Sequence, residues 1–212
     1  MQDASASSRY NRALSSLPFP ADCLMSTLEM FAAALGACAV WLTVKQNRWC
    51  WPIGLIMVLL YAWIFYDATL YSNMLLQGVY ALLQGYGWWQ WNHGGDKHQG
   101  VSVSALTWRG LTASLACGVV GATVLGYLMA NFTDAAAPWQ DATLSAFSLV
   151  AQVWMAQKRV ECWPLWVLLD MLFVLLFLQQ ELYLTAGLYA VFTGLALSGW
   201  LTWRRDQRAA TA

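Results

Sequence analysis

The same apolar unit occurs twice in this chain. Cys50-Trp51-Pro52 returns as Cys162-Trp163-Pro164, and from there the two copies run without a gap. Phe65 matches Phe177, Leu70-Tyr71 matches Leu182-Tyr183, and Gly87-Trp88 with Trp91 matches Gly199-Trp200 with Trp203. Many transporters are built from a unit duplicated inside a bilayer, with the substrate held between the copies. The repeat points to a carrier before any single side chain is weighed.

Composition puts the unit in a membrane. Apolar residues make up 59% of the 212 positions and charged residues only 10%, against roughly 25% charged in a soluble domain. Fourteen Trp and nine Tyr suit aromatic belts at two interfaces. The net charge is zero, so no global field draws nucleic acid. The five cysteines, Cys23, Cys38, Cys50, Cys117 and Cys162, form no metal-ligand or redox spacing and read as small apolar side chains. His93 and His98 fall in a polar loop with Asp96 and Lys97 and read as solvated. Residues 1–22 lack a signal-peptide apolar core.

Seven stretches approach the ~20 residues that cross a bilayer: near 25–44, 49–66, 71–91, 109–130, 140–156, 162–178 and 182–203. With seven spans, nine of the eleven basic residues collect on one side, from Lys45 and Arg48 to Lys158, Arg159 and Arg204, Arg205 and Arg208. Only Arg9 and Arg12 fall on the other. By the positive-inside rule the C-terminus is cytoplasmic and the N-terminus periplasmic. The expected plan is all-α: a tail (1–24), a three-helix repeat (25–91), a loop and linker helix (92–130), a second repeat (131–203) and a cytoplasmic tail (204–212). An odd linker makes the 3+1+3 repeats parallel.

A charge inside a span is expensive and usually faces a cavity. Asp170 is the one acid in mid-span, on the helical face of Trp163 and Trp166 at i−7 and i−4. A carboxylate beside two indole faces suits a planar cation. The third span carries an amide stripe, Asn73, Gln77 and Gln84, with Tyr80 and Trp88 near that face. Such groups both donate to and accept from hydroxyls and carboxamides, or tie helices together. Tyr189 occupies the repeat position of Gln77, between Thr185 and Thr193. Glu29 reads as interfacial, and Pro52 and Pro164 as helix starts. No nucleotide loop, nucleophile elbow or zinc spacing occurs, so neither cofactor, metal nor catalytic residue is expected. A membrane enzyme would need an acid dyad or metal cluster within the spans. A scaffold or receptor subunit would need an exposed soluble domain.

The runs Trp51-Pro52, Leu70-Tyr71, Leu75-Leu76-Gln77 and Tyr86-Gly87-Trp88, with Trp163-Pro164-Leu165-Trp166 followed by Asp170, resemble the PnuC vitamin transporters over about residues 25–205. The resemblance implies a SWEET-like fold, a homotrimer and residence in the bacterial inner membrane. It implies carriage of nicotinamide riboside by facilitated diffusion, with a cytoplasmic kinase trapping the product. It carries over Trp163, Trp166 and Gln77 as binding residues, and Gln84 as a conservative replacement of another amide. The riboside carriers have Asn where this chain has Asp170 and Met57. Relatives carry thiamine or riboflavin. Thiamine and nicotinamide riboside are permanent cations and suit Asp170, whereas riboflavin is neutral and suits it less.

Overall fold

The computed structural model describes residues 21–67, 71–95, 99–133, 137–179 and 183–211. The first twenty residues, with Arg9 and Arg12, lie outside the described residues. So do Asp96, Lys97, His98 and the side chains of Cys23 and Glu29. Among those described, seven α-helices make up the fold: α1 (Ala21–Val44), α2 (Cys50–Asp67), α3 (Tyr71–His93), α4 (Trp108–Phe132), α5 (Pro138–Ala156), α6 (Cys162–Gln179) and α7 (Tyr183–Thr211). The seven expected spans are all present. The stretch expected as a cytoplasmic tail, 204–212, continues the helix of α7 as far as Thr211.

Among the described residues three helices, α2, α4 and α6, are long and apolar enough to cross a membrane by length and composition alone. Polar residues lower the hydropathy of α3, α5 and α7: Gln77 and Gln84, Ser148 and Gln152, and the charged extension of α7. Those of α3 and α5 face inward, so the outer wall stays greasy. Ile56, Leu59 and Trp63 on α2 and their repeat counterparts Leu168, Met171 and Leu175 on α6 all point outward. In water such a surface would aggregate; against lipid it is the expected face.

Six helices close into a ring. α1 packs on α2, α2 on α3, α3 on α5, α5 on α6, α6 on α7, and α7 back on α1. Each repeat's first helix thus meets the other repeat's third helix. α4 stands outside the ring and packs on α5 through Gly118, Ala122 and Gly126, a small-residue stripe that receives Phe147 and Trp139.

The duplication extends to the turns. Gln46 and Lys158 occupy the same repeat position, and both adopt left-handed backbone, φ 53° and 51°. Each ends its helix the same way. Gln46 N donates to Thr43 O at 2.9 Å and Lys158 N to Met155 O at 3.0 Å, closing the last helical turn. Side chains hold the two turns differently. Gln46 donates to Asp206 at 2.6 Å, whereas the second turn pairs with the stretch before α4. There Ser104 N donates to Lys158 O and Val160 N to Ser104 O, and Arg159 donates to Ser104 Oγ at 2.8 Å.

Candidate functional site

The ring encloses a cavity of about 450 Å³, within the usual range for a small-molecule site. It follows α2 from Cys50 to Phe65 and α6 from Trp163 to Phe177. Of the nine residues singled out above, Gln77, Tyr80, Gln84, Trp163, Trp166, Asp170 and Tyr189 line it. Asn73 and Trp88 do not. Asn73 stands exposed in the first turn of α3. Trp88 is turned outward beside Trp49, ring centroids 6.0 Å apart, because Gly87 and Trp91 take the inward face at that end of α3. Of the α7 stripe, Thr185 lines the cavity, and Thr193 donates to its own helix at Tyr189 O.

Reasoning from polar residues alone overlooks Trp51, Gly54, Tyr61 and Ser148, which also line the cavity. Repeat register finds the first two, through candidates already named. Trp51, Gly54 and Tyr61 are the counterparts of Trp163, Trp166 and Phe173. Ser148 meets Tyr80 across the repeat boundary, hydroxyl to hydroxyl at 2.5 Å. Met57, at the other position where the riboside carriers have Asn, lines the cavity too.

The two walls are complementary. On α2 the position is small, Gly54, and Gln84 of α3 lies against it. A Cβ at 54 would stand 2.6 Å from the Gln84 amide nitrogen. In the second repeat the sizes are exchanged: Trp166 stands at the position of Gly54 and Ala196 at that of Gln84. One wall therefore offers an indole face and the other a buried amide. Asp170 lies on the indole wall, 5% exposed, where its counterpart is Val58. No ion pair reaches its carboxylate among the described residues. The indole nitrogens of Trp51, Trp163 and Trp166 are buried without acceptors. Tyr189 is wedged among Phe173, Phe177 and Phe192, with ring centroids 4.8 to 5.6 Å away. The cavity thus presents one acid, three indole donors, three amides (Gln77, Gln84 and Gln152) and several aromatic faces. A planar, polar, cationic molecule satisfies that set. No group of His, Cys, Asp or Glu that could hold a metal ion occurs among the described residues.

Four tryptophans floor the cavity at the end bearing the basic turns. Trp51 and Trp163 line it and are 2% and 0% exposed. Each is set edge-on against the last buried Trp of its own repeat: Trp51 on Trp91 at 5.4 Å, Trp163 on Trp203 at 5.2 Å. Trp91 and Trp203 meet at 6.0 Å. The Lys158 ammonium lies 4.5 Å from the Trp91 ring centroid, and burial pushes its pKa below the ordinary lysine range.

Comparison with known proteins agrees with this architecture. The profile of the family described as nicotinamide mononucleotide transporter matches residues 26–205. The chain is 30% identical over 187 residues to the riboflavin/roseoflavin transporter RibM of Streptomyces davaonensis, covering 85% of this chain and 87% of that protein. It is 25% identical to the nicotinamide riboside transporter PnuC of Escherichia coli, covering 87% of each. The crystal structure of a vitamin B3 transporter PnuC superposes with a TM-score of 0.71 at 27% identity, over 87% of this chain and 83% of that one.

Proposed function

Since the chain belongs to the nicotinamide mononucleotide transporter family, which includes the PnuC vitamin transporters, we propose that its cargo is nicotinamide riboside. It is a multi-pass membrane transporter and not an enzyme. The observation that carries the choice of a cationic cargo over neutral riboflavin is Asp170. It is a buried acid without an ion-pair partner among the described residues, in one cavity with Trp163 and Trp166. A pyridinium ring stacked on Trp166 brings its positive charge to the carboxylate, and desolvation strengthens that attraction. Gln77 and Gln84 supply the amides that a carboxamide and ribose hydroxyls would engage.

Transport is facilitated diffusion. No energy-coupling motif accompanies the cavity, and a cytoplasmic kinase that phosphorylates the riboside makes uptake one-way. The basic turns and the C-terminus face the cytoplasm of a bacterial cell, and the carrier assembles as a homotrimer. A C-terminal fusion to a reporter active only in the periplasm should stay silent; activity there would reverse the orientation.

The relative RibM supports a second reading, riboflavin. That molecule is neutral and leaves Asp170 without a counter-charge. Counterflow in proteoliposomes, with labelled nicotinamide riboside, thiamine and riboflavin in separate arms and no ATP or ion gradient, decides among them. Exchange of the riboside alone is the expected result. Exchange of riboflavin or of thiamine alone overturns the assignment, and riboside exchange that appears only once a proton gradient is imposed overturns the uniport mechanism.

A further inference from the structure

Trp91 and Trp203 do more than pack. Each carries its indole nitrogen across to the opposite repeat. Trp91 Nε1 donates to Met155 O of α5 at 3.3 Å, and Trp203 Nε1 donates to Thr43 O and Val44 O of α1, both at 3.3 Å. Thr43 and Met155 are themselves repeat counterparts. The accepting carbonyls belong to the last turn of a helix; Thr43 O and Met155 O already take the turn amides of Gln46 and Lys158, and the second lone pair of each oxygen is left for the indole. The left-handed turns at Gln46 and Lys158 leave those carbonyls pointing at the indoles. The result is a reciprocal pair of bonds across the pseudo-two-fold axis. Both lie on the floor of the cavity, with Trp51 and Trp163 directly above.

Solute that enters the cavity and leaves at the basic face must pass this floor. The rings in it are 0 to 7% exposed and pack on one another with centroids 5.2 to 6.0 Å apart. Gly87 and Gly199 keep the upper pair seated: a Cβ there would stand 2.3 Å from the Trp51 ring and 2.6 Å from that of Trp163. The lower pair is held by these cross-repeat indole–carbonyl bonds; at the exposed edge of the same face Gln46 also joins Asp206 across the repeats. Separating α1 from α7 and α3 from α5 at their ends breaks both bonds and draws the rings apart.

We infer that Trp91 and Trp203 are the latches of the gate at the basic end of the transport path, and that release of their indole–carbonyl bonds opens it. A merely structural pair would stabilise the fold without governing access from one face. A latch governs access from the basic face in particular.

Cys50 reports on this directly. It is buried at 4% exposure, opens α2 among the floor residues, lines the cavity and is a free thiol. In a background with the other four cysteines replaced by alanine, a membrane-impermeant thiol reagent is applied to vesicles of each orientation. Trp91→Phe and Trp203→Phe keep an aromatic ring and remove the donor together with the pyrrole half of the indole. Each should speed modification of Cys50 from the basic face by about five-fold, the equivalent of one net hydrogen bond. The double variant should speed it by about twenty-five-fold if the two bonds act independently. Modification from the opposite face should not change. Unchanged labelling in both single variants, with the proteins monodisperse in detergent, overturns the inference. So does a rise equal from both faces, which would mean general loosening. The readout needs no substrate, so its failure is separate from a wrong choice of vitamin.

Discussion

The two repeats agree at the floor and disagree at the walls. At the basic end the rings, the glycines that seat them and the turn backbones have counterparts: Trp51 with Trp163, Trp91 with Trp203, Gly87 with Gly199, and the turns at Gln46 and Lys158. Halfway along the cavity the pairs diverge. Gly54 faces the role of Trp166, Val58 that of Asp170, Gln77 that of Tyr189 and Gln84 that of Ala196. Closure is a task both halves perform in the same way, so drift there is penalised twice. An asymmetric cargo needs a different chemistry on each side, and duplication frees one copy to acquire it.

The largest effects should come from breaking the symmetric part. Gly87→Val and Gly199→Val push a branched side chain into a rigid indole. Each should lower stability by about 3 kcal/mol, the upper end for overpacking, and by similar amounts. Thermal unfolding in detergent measures both. A large effect at one site and none at the other would break the equivalence of the two halves.

The asymmetric part should answer in binding rather than stability. Trp166→Ala removes a stacking face worth roughly 1–3 kcal/mol, a five- to hundred-fold loss of affinity by about that arithmetic. Gly54→Ala, at the counterpart position, removes no face and should act only by displacing the Gln84 amide. Calorimetry with nicotinamide riboside on both variants sharpens the contrast.

Asp170→Asn keeps the shape and removes the charge. Binding of the cationic riboside should weaken by about ten-fold, the low end for a hydrogen bond to a charged group, while binding of its uncharged reduced analogue changes little. Equal affinities in all four combinations would remove the carboxylate from the site. Gln84→Leu should have the smallest effect, about five-fold on the riboside. No change there would make Gln84 a tie between helices rather than a contact.

Much of this architecture is legible in the residues. The Cys-Trp-Pro pair sets the register, and the charge asymmetry sets the number of crossings. The amide stripe identifies α3 as a wall. What the residues hide is level and partner. Angle along the helix places Asn73 with Gln77, yet Asn73 stands in the exposed first turn. Trp88 looks equivalent to its neighbours until Gly87 and Trp91 are seen to own the inward face. Trp51 carries no polar mark and reads only as a repeat signature, and Tyr80 finds Ser148 across a boundary that no local pattern crosses. The latching bonds join residues far apart in sequence, with carbonyls as acceptors, and carbonyls carry no residue identity.

One consequence follows from α4 standing outside the ring. Val119, Val120, Val124, Tyr127 and Leu128 look away from the bundle, and α4's main packing is on α5 alone. A three-helix unit ends on the opposite side from where it began, so a second copy spliced directly to the first would enter the bilayer upside down during synthesis. One spare crossing resets the heading of the growing chain. Insertions and exchanges that keep α4 greasy and long enough should be tolerated in a region where the cargo never looks. The helix serves the history of the molecule and its biogenesis more than its traffic.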